Sequence, residues 1–288
     1  MSHGKGDGRL ALIAGGGKLP LFVAEAARLA GETPFIVALR NEADQDWSGF
    51  DHEIIGIADM QAISSAFGKY DVRRVVMSGA VRRRPEWRDI RPTLASIVKI
   101  PEMIRTLKSG GDNALLVSVI SLIESLGCKV IGVHEVAPDL LADSGLLTSA
   151  KPNADDLKDI VAASRAASLL GQLDIGQGSV AVGGRVVALE GAEGTDAMLQ
   201  RVASMRADGR ISLHRKGVLV KLCKPQQDER ADLPAIGLET IRHAHAAGLA
   251  GVALEAGRSL LLDRLETMAL ANKLGLFISG IDPSELTK

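Results

Sequence analysis

The chain has 288 residues, 46% apolar but only 3% aromatic, so Val, Leu, Ile and Ala must fill one large core or two smaller ones. Its 34 basic residues against 35 acidic ones argue against bulk attraction to nucleic acid. No apolar run reaches the roughly 18–20 residues of a membrane span, and the opening MSHGKGDGRL lacks the apolar stretch of a signal peptide. The two cysteines, Cys128 and Cys223, have no paired spacing, which is the pattern of a reduced, cytosolic protein.

In chain order, RLALIA (9–14) predicts a buried strand, GGGKLP a tight loop, LFVAEAARLAG a helix closed by Gly31, and PFIVAL (34–39) a second strand. Strand, glycine loop, helix and strand in that order open a parallel α/β sheet. EIIGI and RRVVMSGAV add strands, NALLVSVISLIESLG a long helix ending at Gly127, and CKVIGV another strand. Residues 9–136 therefore predict a Rossmann-like parallel α/β domain. HEVAPDLLADSGLLTSAKPNADD (134–156) breaks the periodicity and marks the connection.

Residues 137–283 predict a mixed α/β domain. DLKDIVAASRAASLLGQL is helical, GSVAVGGRVVALEG alternates around Gly-Gly as a hairpin does, and GTDAMLQRVASMRADG is a helix with Thr195 expected as its cap. GVLVKLC predicts a strand, TIRHAHAAGLAG a helix, VALEAGRSLLL a pairing around Ala256-Gly257, and LFISGI a last strand behind a final helix.

Gly15, Gly16 and Gly17 stand where a phosphate-binding loop belongs, since glycine admits close backbone approach and a helix N-terminus offers N–H groups. The dinucleotide fingerprint is not met. Pro20 occupies its third glycine position, and the second strand ends in Arg40 rather than an acid. A tight turn without ligand remains an alternative. SGAVRRRPEWRDIRP supplies guanidiniums suited to phosphate, with Arg82 and Arg84 the candidates and a solvated loop the plainer reading.

Two polar loops follow apolar strands. LEGAEGTDAML carries Glu190, Glu193 and Asp196, a set that could seat a hard divalent cation or simply serve a helix start. KPQQDERADLP follows GVLVKLC; Lys221 and Lys224 could hold phosphate charge, and a carboxylate there could bind metal or orient water. His243 and His245 lie two apart on a helix and cannot share a metal; no serine-hydrolase elbow or Walker lysine is present.

Taken together, LALIAGGGKLP, SGAVRRRP, GDNALL, LEGAEGTDAMLQR, VLVKLCKPQQDERADLPAIGLETI, AGLAGVALEAGRSLLLDR and GLFISG resemble the LpxI-type UDP-2,3-diacylglucosamine pyrophosphatases over residues 9 to 281. The resemblance implies a bacterial, cytoplasmic enzyme of lipid A biosynthesis. Its expected reaction is Mg²⁺-dependent hydrolysis of UDP-2,3-diacylglucosamine to UMP and 2,3-diacylglucosamine 1-phosphate (lipid X), close to the inner membrane. It further implies Asp228 as the catalytic or metal-binding carboxylate, Glu193 and Asp196 as further metal ligands, and Thr195 and Gln227 as additional contacts. A homo-oligomer is compatible with the sequence. A non-catalytic nucleotide-sugar sensor is the alternative from another class, distinguished by binding without turnover.

Overall fold

The computed structural model describes residues 8–81, 83 and 112–285, so the candidate arginines Arg82 and Arg84 lie outside the described residues. The chain divides into two compact units, Met1–Asp139 with Asp228–Asp232, and Leu140–Gln227 with Leu233–Lys288.

In the first unit β1 (Arg9–Ala14), α1 (Leu19–Leu29), β2 (Phe35–Leu39), β3 (Asp51–Ile55), α2 (Met60–Lys69), β4 (Val72–Ser78), α3 (Asp112–Glu124), β5 (Lys129–Ile131) and the short α4 (Val133–Val136) follow in order. Their strands form one parallel sheet in the order β3-β2-β1-β4-β5. β2 is apolar throughout and β1 is apolar after Arg9, because parallel central strands are covered on both faces. β3 reads DHEII and is largely exposed, as suits an edge whose charges discourage further pairing. Pro20 sits in the first turn of α1, where its missing N–H costs nothing, and Gly31 ends that segment at φ +85°. Asp59 caps α2, accepting from Ala62 N at 3.1 Å.

The second unit holds β6 (Gly145–Leu146), α5 (Ala154–Gln172), β7 (Gly178–Val182), β8 (Arg185–Leu189), α6 (Gly194–Ala207), β9 (Val218–Lys221), β10 (Ala235–Ile236), α7 (Leu238–Ala246), β11 (Gly251–Glu255), β12 (Leu260–Leu261), α8 (Arg264–Leu274) and β13 (Phe277–Ile281). The main sheet runs β6-β13-β11-β9-β7-β8, with β9, β11 and β13 parallel and β6, β7 and β8 joined antiparallel. Asn153 caps α5 and exchanges bonds with Asp156 in a capping box, worth about 1 kcal/mol. Asp159 on that helix is buried and takes both turn amides of the β7–β8 hairpin, Gly183 N at 3.1 Å and Gly184 N at 2.5 Å. Both glycines have positive φ, +63° and +78°, the conformation a two-residue hairpin turn requires.

One expected pairing is absent. β11 and β12 do not form a hairpin around Ala256-Gly257, because β12 pairs with β10 and β11 lies between β9 and β13. The turn amides are used elsewhere: Ala256 N donates to Ile281 O and Gly257 N to Ala142 O, both at 2.9 Å.

Side-chain alternation in the second sheet places its end groups. Val218 and Val220 of β9 pack with Ile160, Ala163 and Ala167 of α5, whereas Leu219 joins the opposite core with Met198, Leu199 and Val202 of α6. Lys221, two residues after Leu219, therefore shares the α6 face. Glu255, two after Ala253, shares the α5 face.

Candidate active site

The glycine loop between β1 and α1 does not leave the amides of its glycines open. Gly15 N donates to Ser78 O at 2.8 Å, and Gly16 N to Ala80 O at 2.8 Å, with Ala80 N returning a bond to Gly16 O at 2.9 Å. Gly17, at φ +88°, donates its N–H to Asp44 Oδ1 at 3.0 Å. The Gly17 amide, one of the donors that a phosphate loop would use, thus already has a carboxylate acceptor. The glycines answer to packing: a Cβ on Gly15 would lie 2.5 Å from the backbone oxygen of Ala80. The sequence reading missed Asp44 because nothing in NEADQD ties it to a loop twenty-seven residues away.

The carboxyl end of the second sheet is different, since it gathers buried charged side chains. Lys221 closes β9 at 5% exposure, and its Nζ donates to Thr195 Oγ1 at 2.8 Å and to Ala235 O at 3.2 Å. Thr195 Oγ1 in turn donates to Glu190 Oε1 at 2.6 Å. Thr195 is therefore not the helix cap that was expected. Glu193 holds the cap position of α6 without a side-chain cap bond, and the Thr195 hydroxyl turns inward to Glu190 and Lys221. Glu190, just beyond β8, is 7% exposed, and its Oε2 has no partner among the described residues.

Glu255 closes β11 at 9% exposure; its Oε2 accepts from Cys223 N at 2.8 Å and its Oε1 from Arg258 at 2.7 Å. Glu255 was not singled out in the sequence, although a signal was present. VLVK and VALE both end an apolar run on a charge, at the edge where α/β sheets bind ligands.

The crowded polar stretch after β9 is mostly satisfied within the chain. Lys224 Nζ meets Asp174 Oδ1 at 2.7 Å, so this expected phosphate ligand already has a counter-charge. Gln227 N donates to Lys224 O at 3.0 Å, and Gln227 Oε1 accepts from Lys224 N at 3.2 Å, closing the turn. Gln226 is tethered to Gly171 O at 2.8 Å.

Asp228–Asp232 belong with the first unit. There the Asp228 carboxylate accepts from Arg230 Nε at 2.9 Å, from its terminal nitrogen at 2.7 Å and from its backbone N at 3.0 Å. Arg230 also reaches Glu124 of α3 at 3.1 Å. The Arg230 guanidinium holds the Asp228 carboxyl below the usual carboxylate range.

The loop expected to seat a cation does not converge. Glu190 faces inward to Thr195, Glu193 pairs with Arg201 at 2.6 Å, and Asp196 is exposed in the first turn of α6, where the helix end favours an anion. Among the described residues no three His, Cys, Asp or Glu side chains form a group able to hold a metal ion.

Comparison with known proteins adds a second line. Residues 9–140 match the family model of the LpxI N-terminal domain, and residues 143–279 that of the LpxI C-terminal domain. The UDP-2,3-diacylglucosamine pyrophosphatase LpxI of Caulobacter vibrioides is 39% identical over 278 residues, covering 96% of this chain and 99% of the relative. With both domain models matched in order and a relative aligned along nearly its whole length, the chain belongs to the LpxI family.

Proposed function

We propose that the chain hydrolyses the diphosphate bond of UDP-2,3-diacylglucosamine to UMP and 2,3-diacylglucosamine 1-phosphate in lipid A biosynthesis. The observation that carries this is the near-full-length match to a relative bearing that activity in its name. Lys221 in the second unit and Asp228 in the first each support it on their own. A diphosphate gains negative charge as water attacks phosphorus, and a buried ammonium at a strand end is worth more there than in water. Nζ has three protons; Thr195 and Ala235 take two, which leaves a third for the substrate's phosphoryl oxygen in this reading.

Asp228 has a different task. A carboxyl held low by Arg230 stays ionised and is a weak base, because an efficient general base titrates near the working pH. It suits orienting a water or ligating a cation. Mg²⁺ keeps several waters and takes one or two carboxylates together with substrate phosphates, so a single ionised carboxylate fits a cation that arrives with the diphosphate. When bound, such an ion would neutralise phosphoryl charge. Within the second unit the pairs Lys224–Asp174 and Glu193–Arg201 settle the charges of the loops that carry them, and within the first the Asp228–Arg230 pair does the same.

No helix among the described residues is long and apolar enough to cross a membrane. The diacylated substrate nevertheless places the reaction beside a lipid surface, and we assign the protein to peripheral contact with the inner membrane from the cytoplasm. The testing experiment is UMP release from UDP-2,3-diacylglucosamine, with Mg²⁺ and with chelator, by the native chain and by Asp228→Ala. Metal-dependent release that the substitution abolishes, with substrate still bound, supports the reading. Binding without release in any divalent ion would replace it with a nucleotide-sugar sensor.

A further inference from the structure

We infer that Glu190 is a positioning residue that acts through the Thr195 hydroxyl to fix the Lys221 ammonium at the carboxyl edge of the second sheet. The catalytic part of this inference rests on the pyrophosphatase reading above; the geometry does not. Lysine has donors only, so the bond at 2.8 Å runs from Lys221 to Thr195. The single hydroxyl proton of Thr195 is then spent on Glu190 Oε1 at 2.6 Å. The three groups form a chain of donation with one direction, ammonium to hydroxyl to carboxylate. Among the described residues Lys221 has no salt bridge of its own, and this chain links it to a buried carboxyl group without direct contact.

Three further observations show that the carboxylate is built into this place. Glu190 is 7% exposed, and an ionised carboxylate that deeply buried is costly unless a cation or donors answer it. A glycine makes room for it: a Cβ on Gly178 would fall 2.5 Å from Glu190 Oε2. Its second oxygen has no partner among the described residues, so the group is not explained by a closed structural network. Buried ion pairs add little stability compared with apolar packing, and a partly satisfied one adds less. What the arrangement does supply is a lysine with a fixed Nζ and one remaining N–H. Preorganised donors of this kind lower a barrier because they need no reorientation when charge develops.

The test uses the full-length protein with Glu190→Gln, Thr195→Val and Thr195→Ser. Two readouts are taken: kcat and KM for UMP release, and the ¹⁵N resonance of the Lys221 ammonium, identified by its loss in Lys221→Arg. An ammonium held by hydrogen bonds exchanges its protons slowly enough to be seen. Thr195→Ser keeps the hydroxyl and is expected to retain the resonance and activity within about threefold. Thr195→Val and Glu190→Gln are expected to lose or broaden it, with kcat down about 10- to 100-fold and KM changed less than about threefold.

A native resonance and native kcat in folded Glu190→Gln would overturn the inference, as would loss of activity in Thr195→Ser equal to that in Thr195→Val. A resonance that follows the Thr195 hydroxyl in a chain releasing no UMP would uphold the tether and overturn the pyrophosphatase reading alone.

Discussion

The ends of β1 and β9 occupy equivalent places in their own sheets, each at the carboxyl edge of a central strand, yet they use polarity in opposite ways. After β1 every glycine amide from Gly15 to Gly17 has an internal acceptor, and Asp44 supplies the one anion. After β9 and its neighbours, Lys221 and Glu190 are buried with hydrogen-bonding capacity left over. A glycine-rich loop at a helix start is therefore not by itself a ligand site. What distinguishes a site is unspent capacity held rigidly away from water.

The sharpest way to break this comparison is to remove the lysine. Lys221→Ala should lower kcat for UMP release about 10²- to 10³-fold, the scale of losing one preorganised donor. A loss below about threefold would put the two strand ends on the same footing. Next comes packing in the glycine loop. Gly15→Ala drives a methyl group against Ala80 O and should cost about 1–3 kcal/mol in unfolding free energy, read by urea denaturation, with kcat per folded molecule unchanged. Smaller again, Asp44→Ala leaves the exposed Gly17 amide to water and should cost no more than about 1 kcal/mol. If Asp44→Ala instead abolished activity with stability intact, the first loop would be the functional one.

Acid provides the mildest test. The folded pKa of Asp228 lies below its unfolded value, so the Asp228–Arg230 pair contributes stability above the unfolded pKa near 4. That contribution is lost as pH falls through the lowered folded value. Because Arg230 is more than a third exposed, the pair is worth no more than about 1 kcal/mol. Asp228→Asn should flatten that part of the stability–pH curve below pH 4, measured by thermal unfolding. An unchanged acid limb would show that Arg230 does not hold the carboxylate.

Much of the fold was legible because its strands are short apolar runs and its turns carry the residues their conformations demand. RLALIA, PFIVAL, GSVAVGGRVVAL and the Gly31 and Gly127 stops all declared themselves locally. The pairing of VALE with β9 and β13 rather than with the following SLLL was not legible, since both alternatives present the same alternation and only long-range packing selects one. The site divides the same way. Lys221 stood out as a charge ending a buried run, whereas the inward turn of Thr195 depends on which face of β9 meets α6, which no local pattern encodes. The crowding in KPQQDER was visible; its cause was not, because Asp174, Gly171 and Glu124 lie far off along the chain.

The assignment of Asp228–Asp232 to the first unit bears on how the protein is made. Synthesis proceeds from the amino terminus, and a nascent domain usually folds once its last residue clears the ribosome. Here Ala231 packs against the first core and Arg230 bonds to Glu124, so those contacts must wait until most of the second unit has been translated. Until then the early half of the chain is held short of its final contacts, and the five residues that complete it also carry Asp228. The carboxylate proposed for catalysis is thus among the last parts of the first unit to reach its place on the ribosome's schedule.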